Sequence, residues 1–109
     1  MKRIAFCVVL AACGGHSSGS IDPSIGNSCA SNGNCDHTCY LGPDFPGGFC
    51  SFPCQSDRDC SGDAVCIADH GGVCMFLCPP FDCGRLGTQY GCHDVDAAQG
   101  GKVNVCIGN

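Results

Sequence analysis

The stretch that decides the fold is Gly47–Cys54, which reads Gly-Gly-Phe-Cys-Ser-Phe-Pro-Cys and returns at Gly71–Cys78 as Gly-Gly-Val-Cys-Met-Phe-Leu-Cys. Both copies match the pattern GGxCxFxC, which marks an internal repeat. Around them, twelve cysteines fall into three sets of four, whose first members, Cys29, Cys54 and Cys78, are 25 and 24 residues apart. The sequence therefore predicts three tandem units, each built on four cysteines.

An even number of cysteines in a small chain with few large apolar residues is typical of a disulfide framework. We expect two disulfides in each unit and favour the pairing of first with third and second with fourth cysteine. Pairing across unit borders, through Cys50 with Cys54 and Cys74 with Cys78, is the alternative. The cysteines are Cys29, Cys35, Cys39, Cys50, Cys54, Cys60, Cys66, Cys74, Cys78, Cys83, Cys92 and Cys106.

The segments between the cysteines predict short hairpins and turns. Residues 64–68, 73–77 and 103–107 are rich in Val, Ile and Phe, as strands are, and a glycine pair precedes the second of them. Asn, Asp, Ser and Pro fill the gaps and favour turns. The predicted fold class is a small disulfide-rich protein of three four-cysteine modules, loop-rich, with short β-hairpins and little or no helix. The third unit has longer gaps, which we interpret as loop insertions.

The amino terminus carries a second informative pattern. Lys2 and Arg3 precede a short apolar run, and small residues lead into a cysteine in the order Leu10-Ala11-Ala12-Cys13. This order resembles the lipobox of bacterial lipoproteins. The resemblance implies cleavage before Cys13, acylation of that cysteine, and export to a membrane, with the outer membrane or cell surface favoured. A conventional signal peptide that leaves Cys13 free is the alternative.

These patterns divide the chain into five segments. Residues 1–12 are the predicted lipoprotein signal peptide, and residues 13–28 the lipidated cysteine with a Gly/Ser-rich tether. Residues 29–53, 54–77 and 78–109 are units 1, 2 and 3. The cysteine spacing and the repeated GGxC segment resemble small cysteine-rich lipoproteins of myxobacteria and the Dickkopf N-terminal and EB-type modules of animal extracellular proteins. That resemblance implies a non-enzymatic disulfide module.

Charge and missing motifs limit the possible functions. The chain has a formal net charge of −5, and without residues 1–12 three cations face ten aspartates, which gives −7. Such an acidic chain offers no electrostatic basis for binding nucleic acid. It has no C-x-x-C pair, no G-x-S-x-G and no H-E-x-x-H. We therefore predict a protein that is not an enzyme and holds no cofactor; the sequence leaves its oligomeric state open.

Aromatic residues are the predicted contact points for a protein or glycan partner. The chain carries more rings than a small core needs, so we expect some to be partly exposed and to anchor a ligand. The alternative is that these rings cover the disulfides. The candidates are Tyr40, Phe45, Phe81 and Tyr90.

Three other hypotheses use different residues. Asp57, Asp59 and Asp63 are spaced like the first half of a calcium loop, although an Asx-turn is the preferred interpretation. His37, His70 and His93 could bind a metal with reduced cysteines, or the thiols could do redox work in the envelope. A rigid loop over residues 42–48 could inhibit a hydrolase. Asp94 and Asp96, beside His93, could form an acid–base pair, but we expect a solvated loop there.

Overall fold

Three antiparallel hairpins, one in each unit, make up the regular structure. The computed structural model describes residues 24–109, within which no helix is long and apolar enough to cross a membrane. The predicted fold class is confirmed, since the described part is loop-rich and its only helical elements are 3-10 turns. The strands are β1 (Thr38–Tyr40), β2 (Phe49–Ser51), β3 (Ala64–Ile67), β4 (Val73–Phe76), β5 (Tyr90–Asp96) and β6 (Lys102–Gly108), and the turns are Asn32–Asn34, Asp57–Asp59, Asp69–Gly71 and Cys83–Leu86.

The six disulfides of residues 24–109 lie within units. They join first to third and second to fourth cysteines, which is the favoured pairing and not the one across unit borders. In every hairpin the third and fourth cysteines are opposite each other, yet each bonds to a cysteine outside the hairpin. Both strands are therefore tied to the preceding turn segment. The bonds are Cys29–Cys39, Cys35–Cys50, Cys54–Cys66, Cys60–Cys74, Cys78–Cys92 and Cys83–Cys106.

The closing strand of each hairpin also pairs with the segment that leads into its unit. Pro53, just before the first cysteine of unit 2, bridges Val73, and Leu77 bridges Val105 in unit 3. In unit 1 the amide of Cys50 donates to the carbonyl of Asn27 at 2.8 Å. Because the leading segment of one unit continues the closing strand of the unit before it, consecutive units share one extended stretch of chain.

This pairing explains the second glycine of the GGxC motif. Gly48 and Gly72 have φ of +80° and +102°, a region that L side chains rarely adopt. A Cβ atom at Gly48 would overlap the carbonyl oxygen of Cys29, and one at Gly72 would overlap that of Cys54. In units 1 and 2 this close approach leaves no room for a side chain at that position, whereas in unit 3 Asn104 stands there and its carbonyl accepts from the amide of Cys78 at 3.1 Å.

Two parts of the fold differ from the sequence-based prediction. Residues 24–28, assigned to the tether, belong to the folded part, because Ile25 is 4% exposed and the amide of Gly26 donates to the carbonyl of Cys50. Asp94 and Asp96 lie on β5, where a solvated loop was expected, because β6 supplies a partner for every residue of that strand. Residues 1–23, which include Cys13 and the predicted signal peptide, lie outside the described residues.

We expect Gly72→Ala to lower the free energy of unfolding by about 4 kcal/mol or more, because the new methyl group meets backbone at a positive φ. Gly71→Ala is the matched control, with φ of +80° but no atom within 4 Å of its Cβ, and should lose only about 1–2 kcal/mol. Denaturant unfolding without reductant measures both. Equal losses would contradict the close approach of the Cys54 carbonyl.

Candidate functional site

The predicted aromatic contact points are mostly core residues, so the expected exposure is wrong for three of the four. Phe45, Phe81 and Tyr90 are 1%, 9% and 7% exposed, and Tyr40 is half-buried. The physical reason is that six of the eighteen residues in the buried cluster are cysteines, and few large aliphatic side chains are left to fill the rest. The alternative interpretation, that the rings cover the disulfides, describes the structure better.

The rings form a chain of contacts through all three units. Phe49 lies at its centre, 6.1 Å from Phe45, 6.2 Å from Phe76 and 6.1 Å from Tyr90 between ring centroids. Phe76 stacks on Phe81 at 4.1 Å with an interplanar angle of 6°. Such contacts add stability beyond the burial of area. The three units are therefore packed around one aromatic core.

Unit 3 closes onto the loop of unit 1 that spans residues 41–48. The Tyr90 hydroxyl donates to the carbonyl of Pro46 at 3.0 Å, and the amide of Gly108 donates to the carbonyl of Asp44 at 2.9 Å. Burial raises the pKa of Tyr90 to about 12. The loop proposed as an inhibitory segment is thus backed by β5 and β6.

A groove opens where this loop meets unit 3, and we call it the loop groove. It has a volume of about 480 Å³ and is lined by Pro43, Pro46, Thr88, Gln89 and Asn109. The backbone amide of Asn109 donates to the backbone carbonyl of Gln89 at 2.9 Å, and this bond fixes the wall of the groove that unit 3 provides. The loop groove combines two rigid proline rings with amide groups, a surface suited to contact with an extended polar ligand.

Leu41 is the exposed large hydrophobic residue within residues 24–109, at 59% exposure. It lies two residues before Pro43 in the same loop. Sequence analysis missed it, because a single leucine in a Gly/Pro-rich loop carries no periodic signal. The one hint in the sequence was its position between Tyr40 and Gly42, where the chain is expected to turn. Leu41 and the loop groove together form the candidate binding surface.

The aspartates proposed for calcium hold turns together. Asp59 Oδ2 accepts hydrogen bonds from the amides of Gln55 and Ser56, and Asp57 Oδ1 accepts one from the amide of Cys66 at 2.9 Å. In unit 1, Asn32 Oδ1 accepts from the amide of Cys39 at 2.8 Å in the same way. A neutral amide therefore does the work of Asp57, so these side chains bind backbone as structural groups, although none of the bonds is the bond to the amide two residues on that defines an Asx-turn.

The remaining candidate, Asp63, is not gathered with the other two aspartates. In the described part of the chain, every set of three potential metal ligand atoms within 4.8 Å of one another consists of cysteine sulfurs. Asp63 instead supplies its backbone carbonyl to the amide of Leu77 at 3.0 Å. The three carboxylates thus do not form a calcium cage.

The three histidines occupy separate places. The ring of His37 lies 5.1 Å from Phe52, and His93 Nε2 hydrogen-bonds Asn109 Oδ1 at 2.8 Å. His70 Nε2 lies 3.0 Å from Asp44 Oδ2, and its ring is 4.8 Å from Phe45. His70 therefore joins unit 2 to the loop of unit 1. The thiols that metal capture would need are in disulfides.

Asp96 and His93, two of the residues considered for an acid–base site, each bind a different partner. Asp96 Oδ1 forms an ion pair with Lys102 Nζ at 2.9 Å across the β5–β6 hairpin. The hydrogen bond and charge of Asp96 raise the pKa of Lys102. His93 uses its Nε2 on Asn109, as described above, so its ring is engaged beside the loop groove and not with Asp96.

Comparison with protein-family models, with curated proteins and with solved structures finds no significant match. The function is therefore argued from the residues and their geometry.

We expect the free energy of unfolding to fall as pH rises from about 10 to about 12, the ordinary and folded pKa of Tyr90. In that window the unfolded chain loses the phenol proton while the folded chain keeps it, so unfolding is favoured. Tyr90→Phe should flatten this dependence, whereas Tyr40→Phe should leave most of it. Denaturant unfolding at several pH values, with absorbance titration of the chain's two tyrosines, measures the effect. If the tyrosine that ionises at the higher pH is still seen in Tyr90→Phe, the assignment of the raised pKa to Tyr90 is wrong.

Proposed function

We propose that this chain is a non-enzymatic bacterial lipoprotein, held to the outer membrane or cell surface by acyl chains on Cys13. Its disulfide-linked body binds a protein or a glycan through Leu41 and the loop groove. The observation that carries the proposal is the combination of a lipobox-like Leu10–Cys13 with twelve later cysteines that are all in disulfides. Disulfides persist in oxidising, exported compartments, and the lipobox supplies the route there.

A binding role is supported by how the body uses its polar groups. The carboxylates of Asp57 and Asp59 accept hydrogen bonds from backbone amides. His70 contacts side chains of the unit 1 loop, and His93 hydrogen-bonds Asn109. These side chains therefore stabilise the folded body. A rigid body that presents an exposed apolar side chain two residues from a proline of a preformed groove loses little conformational entropy when it binds, which favours recognition.

The loop that carries the surface is itself held rigidly. Phe45 anchors it in the core, Asp44 bonds to both β6 and His70, and Pro46 accepts from Tyr90. The loop that carries Leu41 is therefore held in place by contacts with the core, with β6 and with unit 2. An apolar residue in such a position is the kind of anchor around which protein interfaces are organised.

The lipid anchor is tested by the intact mass of the protein extracted from membranes of the bacterium that expresses it. We expect a chain that begins at an acylated Cys13 and that gains twelve hydrogens when its six disulfides are reduced. Cys13→Ala should leave the signal peptide uncut and the acyl mass absent. Cys7→Ala, a matched cysteine inside the predicted signal, should be processed normally. An unacylated Cys13 in the otherwise unaltered protein would overturn the anchor.

The binding surface is tested by a photo-crosslinking amino acid placed at position 41 or, as a control, at the exposed Arg58. We expect a discrete crosslinked product from position 41 only. Leu41→Ala should weaken the recovered complex about tenfold, as loss of an apolar anchor does. It should leave the free energy of unfolding unchanged, because the side chain is exposed. Identical products from both positions would contradict the proposed surface.

A further inference from the structure

We propose that the Cys78–Cys92 disulfide of unit 3 is a site of reversible covalent modification by small thiols, with the Cys92 sulfur as the atom attacked. This inference does not depend on the proposed lipid anchor or on the partner of Leu41. It rests on the exposure of Cys92, on the departure of unit 3 from the repeat near that cysteine, and on the burial of Cys78 and Cys106.

Cys92 differs from the other cysteines in exposure. Within residues 24–109 it is the one exposed cysteine, whereas its partner Cys78 is 4% exposed. The corresponding bridge of unit 2 is closed, with Cys54 and Cys66 at 6% and 0%. Thiol–disulfide exchange requires that the attacking thiolate reach a sulfur, so access decides which bridge reacts.

The exposure of Cys92 coincides with a departure of unit 3 from the repeat. In units 1 and 2 a 3-10 turn precedes the second cysteine, and Asn32 or Asp57 within it bonds to the amide of the third cysteine. Pro80 stands at the matching place in unit 3, and the turn there follows the second cysteine as Cys83–Leu86. The side-chain bond that holds the turn to the third cysteine in the other units is therefore missing at Cys92.

The exchange balances without an external oxidant or reductant. A thiolate attacks Cys92 Sγ and forms a mixed disulfide, while the Cys78–Cys92 bond breaks and its electron pair leaves on the Cys78 sulfur, which takes a proton from water. The reverse step, attack of the Cys78 thiolate on Cys92 Sγ, expels the small thiol and restores the bridge. One disulfide is exchanged for another in each direction.

The exchange stops at this bridge. The sulfurs of Cys78, Cys83 and Cys92 lie within 4.8 Å of one another, so a freed Cys78 thiolate could reach Cys83. That attack would exchange a thiolate on Cys78, which is 4% exposed, for one on Cys106, which is 0% exposed, and deeper burial disfavours a thiolate more. Cys83–Cys106 therefore keeps β6 tied to the turn while Cys78–Cys92 is open.

Charge near the site favours some thiols over others. Asp94 lies two residues beyond Cys92 on β5 and so shares its face of the strand. Asp96, two residues further on, is paired with Lys102, while Asp94 has no ion pair of its own in the described part of the chain and acts on Lys102 only at a distance. A cationic thiol should be drawn to Cys92 and an anionic one repelled.

The test is exchange of the intact oxidised protein with cysteamine, a cationic thiol, under native conditions. Thiols already present are first blocked with one alkylating reagent, and thiols released by exchange are trapped with a second of different mass. Peptide mapping should find the first adduct on Cys92 and the released thiol on Cys78, at least about tenfold above any other pair. First adducts on Cys29–Cys39, whose two cysteines are half-buried, or adducts spread over all bridges, would overturn the proposal.

Two variants sharpen the result. The double variant Cys78→Ser and Cys92→Ser should lose the rapid adduct while the other five bridges stay closed. Should that variant fail to fold, Asp94→Asn keeps the proposal testable, because it leaves every disulfide in place. It should reduce the preference for cysteamine over the anionic thiol mercaptoacetate at Cys92. An unchanged preference would overturn the role of Asp94, and an adduct elsewhere would again overturn the site.

Discussion

The structure depends on extended segments that belong to two units at once. Cys50 closes unit 1 and Cys54 opens unit 2 four residues later, and Cys74 and Cys78 do the same for units 2 and 3. Each segment is fixed by a disulfide at both ends and by backbone pairing with the next closing strand. Ser51, within the first segment, is fully buried and donates its hydroxyl to the carbonyl of Cys74 at 2.6 Å. The units are consequently joined by shared structure and cannot turn freely about a linker.

This constraint accounts for the aromatic core. Disulfides consume the positions that aliphatic side chains occupy in larger proteins, and a chain of this length cannot bury a large core without such cross-links. Shared segments bring Phe49 and Phe76 together from adjacent units, and Phe81 and Tyr90 extend the cluster into unit 3. Rings that could have served as exposed anchors are needed inside. The proposed binding surface, Leu41 and the loop groove, therefore contains none of these rings.

The repeat in the sequence predicted the structure within each unit, but it could not predict the contacts between units. Cysteine spacing and the GGxC segments indicated three hairpins, because both features act within one unit, whereas spacing left three pairings of four cysteines open and the observed one was a preference among them. The burial of Phe45 and Ile25 depends on contacts with other units, among them the bond between Tyr90 and Pro46, which are 44 residues apart. A Gly/Ser-rich or Gly/Pro-rich neighbourhood hides such residues, since it has no period from which a buried face can be inferred.

The features that could give this protein a function are concentrated where the repeat is least regular. The gap between the second and third cysteines lengthens from units 1 and 2 to unit 3, and the added residues include Thr88, Gln89 and Tyr90. These residues close unit 3 onto the loop of unit 1 and form one wall of the loop groove. In unit 3 the 3-10 turn follows Cys83, and Cys92 is exposed. Units 1 and 2 keep a shared geometry, and unit 3 departs from it both at its wall of the loop groove and at Cys92.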